Sequence, residues 1–133
     1  MTSPELYWLT LTVLLTACLW LPYILKLITQ VGLVTAVTDA NASRDFDASW
    51  AMRASKAHSN AVENLVIFAP LAILVGLLEL GTALTAGAAM VFFFARLAHF
   101  ICYVAGIALL RTLAFAVGWA CTIIMGLRLL GAG

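Results

Sequence analysis

Long apolar runs restrict what this chain can fold into. Leu6 to Leu25 contains twenty residues without a charged side chain, and Leu65 to Val75 is a second apolar run. At about 1.5 Å per residue, the first run just crosses a hydrocarbon core of about 30 Å. Hydrophobic residues make up 65% of the 133 residues and charged residues 10%, far outside the range of soluble proteins. The sequence therefore predicts an integral membrane protein.

Four membrane helices account for the whole chain. The predicted spans cover about residues 6–28, 50–80, 83–109 and 112–130, which indicates an all-α, four-helix bundle with a single domain over residues 1–133. Pro22 lies in the last turns of the first span and favours a kink, because proline cannot donate the helical hydrogen bond. The polar stretch from Gln30 to Ser49 is predicted to be the only long loop.

Charge and cysteine content exclude two classes of partner. The net charge is +1, and seven lysine and arginine residues cannot neutralise many phosphates, so nucleic acid is not an expected partner. Cys18, Cys102 and Cys121 lie in apolar runs without ligand-like spacing, so no metal site is predicted. We expect all three to be buried, reduced thiols.

A polar stripe interrupts the second span near one membrane face. At about 100° per residue, Arg53, Lys56, Asn60 and Glu63 fall inside an arc of about 80°, whereas His58 points to another side of the helix. Charged groups inside a membrane helix are costly unless they are paired or functional. The stripe is therefore a candidate site.

A second polar set lies on the third span. Arg96, His99 and Tyr103 have the spacing i, i+3, i+7 and share one face, and Arg111 and Thr112 follow in the short turn before the fourth span. Spans two and three run in opposite directions, so both polar sets are expected at the same depth. One shared site is predicted.

The charges of this site favour an anionic ligand. Four cations, Arg53, Lys56, Arg96 and Arg111, face one carboxylate, Glu63, in a region of reduced dielectric. Glu63 could bind an ammonium group if the same ligand carries one. If the ligand carries a thiol, an arginine at a helix start would lower the pKa of that thiol, and the following threonine could donate a hydrogen bond to the sulfur.

Architectural roles for the same residues remain open. Arg53 and Lys56 could be interfacial anchors, and Glu63 could pair with Arg96 to join two helices. His58 is expected to pack or to contact headgroups. A haem site formed by the two histidines is a third and weaker hypothesis, because His58 and His99 face differently on their helices.

The distribution of positive charge predicts an orientation. The face that holds the long loop collects most of the basic residues: Lys26, Arg44, Arg53, Lys56 and Arg111. The opposite face has Arg128 beside Glu5 and Glu79. By the positive-inside rule, the loop and the site face the cytoplasm and both termini lie outside.

Two segments resemble one family of membrane proteins. Arg53 to Leu65, followed by Phe68-Ala69-Pro70-Leu71, looks like the second-helix signature of the membrane-associated proteins in eicosanoid and glutathione metabolism, the MAPEG family. Ala95 to His99, Tyr103 to Gly106 and Leu110 to Phe115 are similar to the third helix of that family and the start of its fourth.

The resemblance implies a homotrimer with glutathione bound between neighbouring subunits near the cytoplasmic face. It implies three groups of glutathione ligands: Lys56, Asn60 and Glu63 on the second helix, Arg96, His99 and Tyr103 on the third, and Arg53 one turn before the first group. Arg111 matches the arginine credited with activating the thiol, with Thr112 beside it as a further catalytic candidate.

Four departures from the family pattern argue against prostaglandin or leukotriene synthesis, and one is that the turn before Arg111 lacks the extra basic residues that some members have. Lys56 stands where eicosanoid-forming members usually have arginine, Phe115 stands where some have tyrosine, and no arginine occurs near Gln30 to Leu33. The resemblance is closer to small bacterial members, which implies a bacterial inner membrane. We expect a glutathione-dependent transferase or peroxidase that acts on lipophilic electrophiles from the lipid. The alternative is a non-catalytic trimer that binds an anionic lipid or small anion.

Overall fold

The computed structural model of the protein describes residues 2–42 and 46–131, and these residues form six α-helices and no strand. The helices are α1 Pro4–Cys18, α2 Leu21–Val31, α3 Leu33–Thr38, α4 Ser49–Leu77, α5 Ala83–Ala105 and α6 Ala108–Leu129. Four stretches are long and apolar enough to cross a membrane, and α1 and α2 together form the first. The predicted all-α fold with four spans is confirmed, and the protein is an integral, multi-pass membrane protein.

Pro22 divides the first span into two helices. α1 ends at Cys18, four residues before the proline, because the proline ring has no N–H to donate to the carbonyl there. The predicted kink is therefore present. The span is longer than predicted, since α2 continues to Val31, and Gly32, with a φ of +87°, then permits the turn into α3.

The stretch predicted as one long loop is helical over most of residues 30–38, so the prediction is wrong for that part. α2 and α3 occupy it, and Lys26 lies within α2, where its Nζ forms an ion pair with Asp47 Oδ1 at 2.9 Å. Gln30 Oε1 also accepts a hydrogen bond from the backbone N–H of Asp47 at 2.9 Å. These contacts hold the end of the connection against α2. Arg44, which the orientation argument counts, lies outside the described residues.

The turn between the last two helices lies about four residues earlier than predicted. Gly106 ends α5 in the left-handed conformation, with a φ of +79°, and α6 begins at Ala108. Arg111 and Thr112 consequently lie in the first turns of α6 and not in the preceding loop, which corrects the prediction. α4 likewise ends at Leu77, three residues before its predicted end.

Three contacts between helix ends establish which ends meet. Arg53 Nε donates a hydrogen bond to the carbonyl of Val104 at 2.9 Å, so the start of α4 lies beside the end of α5. At the other end of the bundle, Arg128 Nε donates to the carbonyl of Leu80 at 2.6 Å, and Thr85 donates to Glu5. The antiparallel arrangement of α4 and α5 brings their polar halves to the same depth, as predicted.

Aromatic and small residues form the centre of the bundle. The rings of Phe68 on α4 and Phe92 on α5 are stacked, with centroids 3.7 Å apart, and Met125 on α6 is fully buried in the same cluster. Cys121 belongs to this core, but Cys18 is exposed, so the prediction of buried thiols is wrong for Cys18. Many large apolar side chains face outward, as expected for a surface in lipid.

Glu5 is a buried acid whose contacts are architectural. The side chain is 1% exposed, and Glu5 Oε1 accepts a hydrogen bond from the Thr85 hydroxyl at 2.5 Å. Thr85 also forms a capping box with Thr82 at the start of α5. This contact ties α1 to α5, and the carboxyl lies against Gly81, close to the positive end of the α5 dipole.

Thr85→Val is expected to lower the free energy of unfolding by roughly 1–3 kcal/mol, because the buried Glu5 carboxyl loses its donor. Thr85→Ser keeps the hydroxyl and is the matched control. Thermal or denaturant unfolding in detergent micelles measures both. Equal stability of the two variants would contradict this role for the Thr85 hydroxyl.

Arg53→Ala is expected to lower the free energy of unfolding by about 1–2 kcal/mol, since the carbonyl of Val104 loses its charged donor. Lys56→Ala, one turn later on an exposed side chain, is the control and should change stability by less than about 0.5 kcal/mol. The same micelle unfolding assay compares them. If Arg53→Ala behaves like the control, the contact does not stabilise the bundle.

Candidate functional site

A pocket of about 280 Å³ opens where α4, α5 and α6 come together. Its lining comes from three helices: Asn60 on α4, His99 and Tyr103 on α5, and Arg111, Thr112 and Phe115 on α6. The first five of these residues are predicted site residues, and they are spread over about fifty positions of the chain. The structure therefore brings together polar groups that the sequence could only assign to a common depth.

Arg96 lies beneath this pocket and does not line it. The side chain is 3% exposed, and Arg96 Nη2 donates a hydrogen bond to Asn60 Oδ1 at 2.7 Å and lies 3.2 Å from His99 Nδ1. Arg96 Nε and Nη1 are buried and have no hydrogen-bond partner in the part of the chain that the structure describes. The guanidinium is thus held only by neutral acceptors.

The ion pair between Glu63 and Arg96, which the sequence left open as an architectural contact, is not formed. Glu63 is exposed, and Lys26–Asp47 is the ion pair found between side chains within residues 2–42 and 46–131. Glu63 therefore does not neutralise the buried guanidinium within a single chain.

Asn64 supports the pocket but is not among the predicted site residues. Asn64 Nδ2 donates to Asn60 Oδ1 at 3.2 Å and to the backbone carbonyl of Asn60 at 2.8 Å. The i+4 spacing of two asparagines on one helix was the available signal. Together with Arg96, Asn64 occupies the amide oxygen of Asn60.

Arg111 is the charged group that reaches the pocket itself. Its guanidinium carbon lies 4.6 Å from the centroid of the Tyr103 ring, a cation–π contact that orients it, and the Tyr103 ring meets His99 edge to face at 5.7 Å. Among residues 2–42 and 46–131, no carboxylate lines this pocket. An anion in the pocket would therefore meet an arginine that is already oriented.

Thr112 and Phe115 complete the wall of the pocket on α6. The Thr112 hydroxyl donates to the carbonyl of Ala108 at 3.0 Å, so a ligand sulfur would have to displace this local bond to receive that hydrogen. Phe115 lies 6.4 Å from the His99 ring and gives the pocket an apolar side. The sequence predicts no site role for Phe115, which stands where some members of the resembled family have tyrosine.

Besides Arg96, three predicted site residues lie outside the pocket. Arg53 is directed to the carbonyl of Val104, and Lys56 and Glu63 are exposed on the surface of α4. Lys56, Asn60 and Glu63 share one helical face, but only the middle residue of the three reaches the pocket of the single chain. The outer two are open to a ligand or to a second copy.

His58 packs against a different helix from His99. The Tyr23 hydroxyl on α2 lies 2.7 Å from His58 Nδ1, and the Tyr23 ring also contacts Phe46 edge to face. His99 instead contacts Arg96. The two histidines serve separate contacts, as their different directions on the helical wheel predicted, and nothing in this geometry favours a shared haem.

Comparison with known proteins assigns the chain to a family. A protein-family model for the MAPEG family matches residues 6–131 of the 133 residues, which includes every residue of the pocket. No curated protein and no solved structure matches the chain. The match covers nearly the whole sequence and includes the segments around residues 53–71 and 95–115 that resemble this family. The chain belongs to the MAPEG family, the membrane-associated proteins in eicosanoid and glutathione metabolism.

Proposed function

We propose that this protein binds glutathione and uses it as a membrane transferase or peroxidase against lipophilic electrophiles. The observation that carries the proposal is the pocket in which Arg111, His99, Asn60 and Tyr103 converge above the buried guanidinium of Arg96. Membership of the MAPEG family supports the same ligand.

The charges around the pocket fit the negative ends of a tripeptide. Arg96 Nε and Nη1 have no acceptor among the described residues, and a buried, unpaired cation is costly unless an anion approaches it. Glutathione carries two carboxylates and one ammonium, which matches a pocket lined by Arg111 with Arg96 buried behind it and Glu63 exposed on α4. The pocket volume of about 280 Å³ is slightly below that of typical ligand sites, so part of the ligand would extend along α4.

Arg111 is the residue assigned to the thiol. A guanidinium beside a sulfur, in the first turns of a helix, lowers the pKa of a thiol and favours the thiolate. Glutathione supplies a nucleophilic thiol, which can add to an electrophile or displace its leaving group to form a thioether. With a second glutathione it can instead reduce a hydroperoxide to an alcohol and water, while the two thiols are oxidised to one disulfide. Phe115, which is partly exposed beside Arg111 in the pocket wall, offers an apolar surface to a substrate that arrives from the lipid.

We further propose that the site is completed in a homotrimer. Glu63 is exposed near the middle of α4, a helix long and apolar enough to span a membrane, and a charged side chain facing lipid at such a position costs about 2–3 kcal/mol or more. Lys56 is exposed on the same helix, nearer its start. A neighbouring copy packed against this face of α4 would remove that cost and enclose the ligand. Each site would then lie between protomers.

The proposed location is the cytoplasmic side of a bacterial inner membrane. Lys26, Arg53, Lys56 and Arg111 lie toward the end of the bundle that holds the pocket, whereas Glu5 and Glu79 lie at the other end. By the positive-inside rule, the pocket end faces the cytoplasm and both termini face outward.

Glutathione is expected to bind the purified protein in micelles and to show the ultraviolet absorbance band of a thiolate. In Arg111→Ala, the band should be lost near neutral pH because the pKa of the bound thiol rises, whereas Arg111→Lys should retain part of it. Calorimetry measures binding and a pH titration of the band measures the pKa. An unchanged band in Arg111→Ala would contradict the role of Arg111. Copurified anionic lipid without any thiolate band would favour the non-catalytic alternative.

The oligomeric state is a separate prediction. Native mass spectrometry in detergent is expected to give three chains, and Glu63→Lys should weaken the assembly because it reverses the charge of a side chain on the proposed interface. Glu79→Lys, in the connection that follows the opposite end of α4, is the control. A single-chain mass for the wild-type protein would contradict the trimer.

A further inference from the structure

We infer that Arg96 is a positioning residue that fixes Asn60 and His99 as hydrogen-bond donors, so that this subsite accepts an anionic group and rejects an ammonium. The inference rests on the proposed function for the identity of the ligand. It deepens that function by stating which chemical end of the ligand enters the pocket.

The amide of Asn60 has one orientation available to it. Arginine carries donors only, so the atom 2.7 Å from Arg96 Nη2 must be the amide oxygen. Asn64 Nδ2 donates to the same oxygen at 3.2 Å. With both lone pairs of Oδ1 occupied, rotation of the amide would set the Asn60 amino group against two donors. The side available to the pocket is therefore the amino group, which can only donate.

The ring of His99 is restricted in the same way. Arg96 Nη2 lies 3.2 Å from His99 Nδ1, and because arginine cannot accept, Nδ1 must be the unprotonated acceptor. A neutral ring then carries its hydrogen on Nε2, on the opposite side of the ring from Arg96. His99 lines the pocket, so the nitrogen left for a ligand is again a donor.

Arg111 is the third nitrogen group of the pocket and also has donors only. An ammonium group would face N–H donors from Asn60, His99 and Arg111. None of these nitrogen atoms could accept a hydrogen bond from it. The hydroxyls of Tyr103 and Thr112 can rotate and do not decide the sign of the ligand's charge. A carboxylate or thiolate is therefore the group that fits, and the ammonium end lies outside the pocket, along the α4 face that carries Glu63.

Arg96 acts through its neighbours because it cannot reach the ligand directly. It is buried, it does not line the pocket, and its stem packs against α6, where a Cβ added to Gly118 would lie 3.7 Å from Arg96 Cδ. Its effect on binding is therefore carried by the amide of Asn60 and the tautomer of His99.

The first test is nitrogen NMR of the ligand-free protein labelled with ¹⁵N-histidine. The chain has two histidines, and His58, whose Nδ1 contacts Tyr23, is the internal control. Wild-type His99 is expected to show an unprotonated Nδ1 and a protonated Nε2. Arg96→Met should yield a mixture of tautomers at His99 and leave His58 unchanged, whereas Arg96→Lys should retain the wild-type tautomer. A protonated Nδ1 in the wild-type protein would overturn the inference without any variant.

The second test is the affinity for glutathione. Asn60→Asp replaces the amide donors by oxygen and should weaken binding roughly 10- to 100-fold, because an acceptor then faces the anion. Asn60→Ser, which keeps a hydroxyl donor, should lose less. Unchanged affinity in Asn60→Asp would overturn the inference. If wild-type His99 has the expected tautomer but no glutathione binds, the positioning role of Arg96 stands and the proposed function fails.

Discussion

Arg96 is a buried cation with no acidic partner among the described residues, and its charge determines the electrostatic potential of this site. Arg96 is nearly inaccessible, yet its hydrogen-bond acceptors are a neutral amide and a neutral imidazole, and two of its nitrogens have no partner in the described structure. Neutral acceptors reduce the cost of burying a guanidinium but leave its charge. That charge raises the positive potential at the base of the pocket. An anionic ligand would lower the free energy of the whole arrangement, which connects the stability of the bundle to binding.

The sequence predicted the helices well and their ends less well, for a physical reason. Span length and periodicity follow from apolar runs, so the four membrane segments and the break at Pro22 could be inferred. The ends depend on local backbone geometry: Gly106 ends α5 because it can adopt a positive φ, and α6 then begins at Ala108, four residues before the predicted start at about residue 112. This shift carried Arg111 from a loop into a helix, where its position is fixed.

The sequence predicted most of the residues that belong to the site but not the contacts that each of them makes. Periodicity assigned Lys56, Asn60 and Glu63 to one face of α4, but an arc of about 80° is too wide to show which of them reaches α5. Arg53 could not be separated from the ligand set, because its acceptor is a backbone carbonyl of α5, and backbone acceptors have no sequence signal. Asn64 was missed because its role is to hold another side chain.

The two ends of the bundle show why buried charge alone does not identify a site. Glu5 and Arg96 are both almost inaccessible ionisable residues in membrane helices. The Glu5 carboxyl accepts a hydroxyl hydrogen bond and lies near the start of α5, where the helix dipole favours negative charge, so its surroundings stabilise it. Arg96 has no acidic partner among the described residues, and its neighbours open onto a pocket lined by Arg111. Glu5 also lines a cavity, so a cavity alone does not distinguish the two ends. The difference is that the Glu5 carboxyl has its donor, whereas two nitrogens of Arg96 lack an acceptor among the described residues, and this favours the Arg96 end as the binding site.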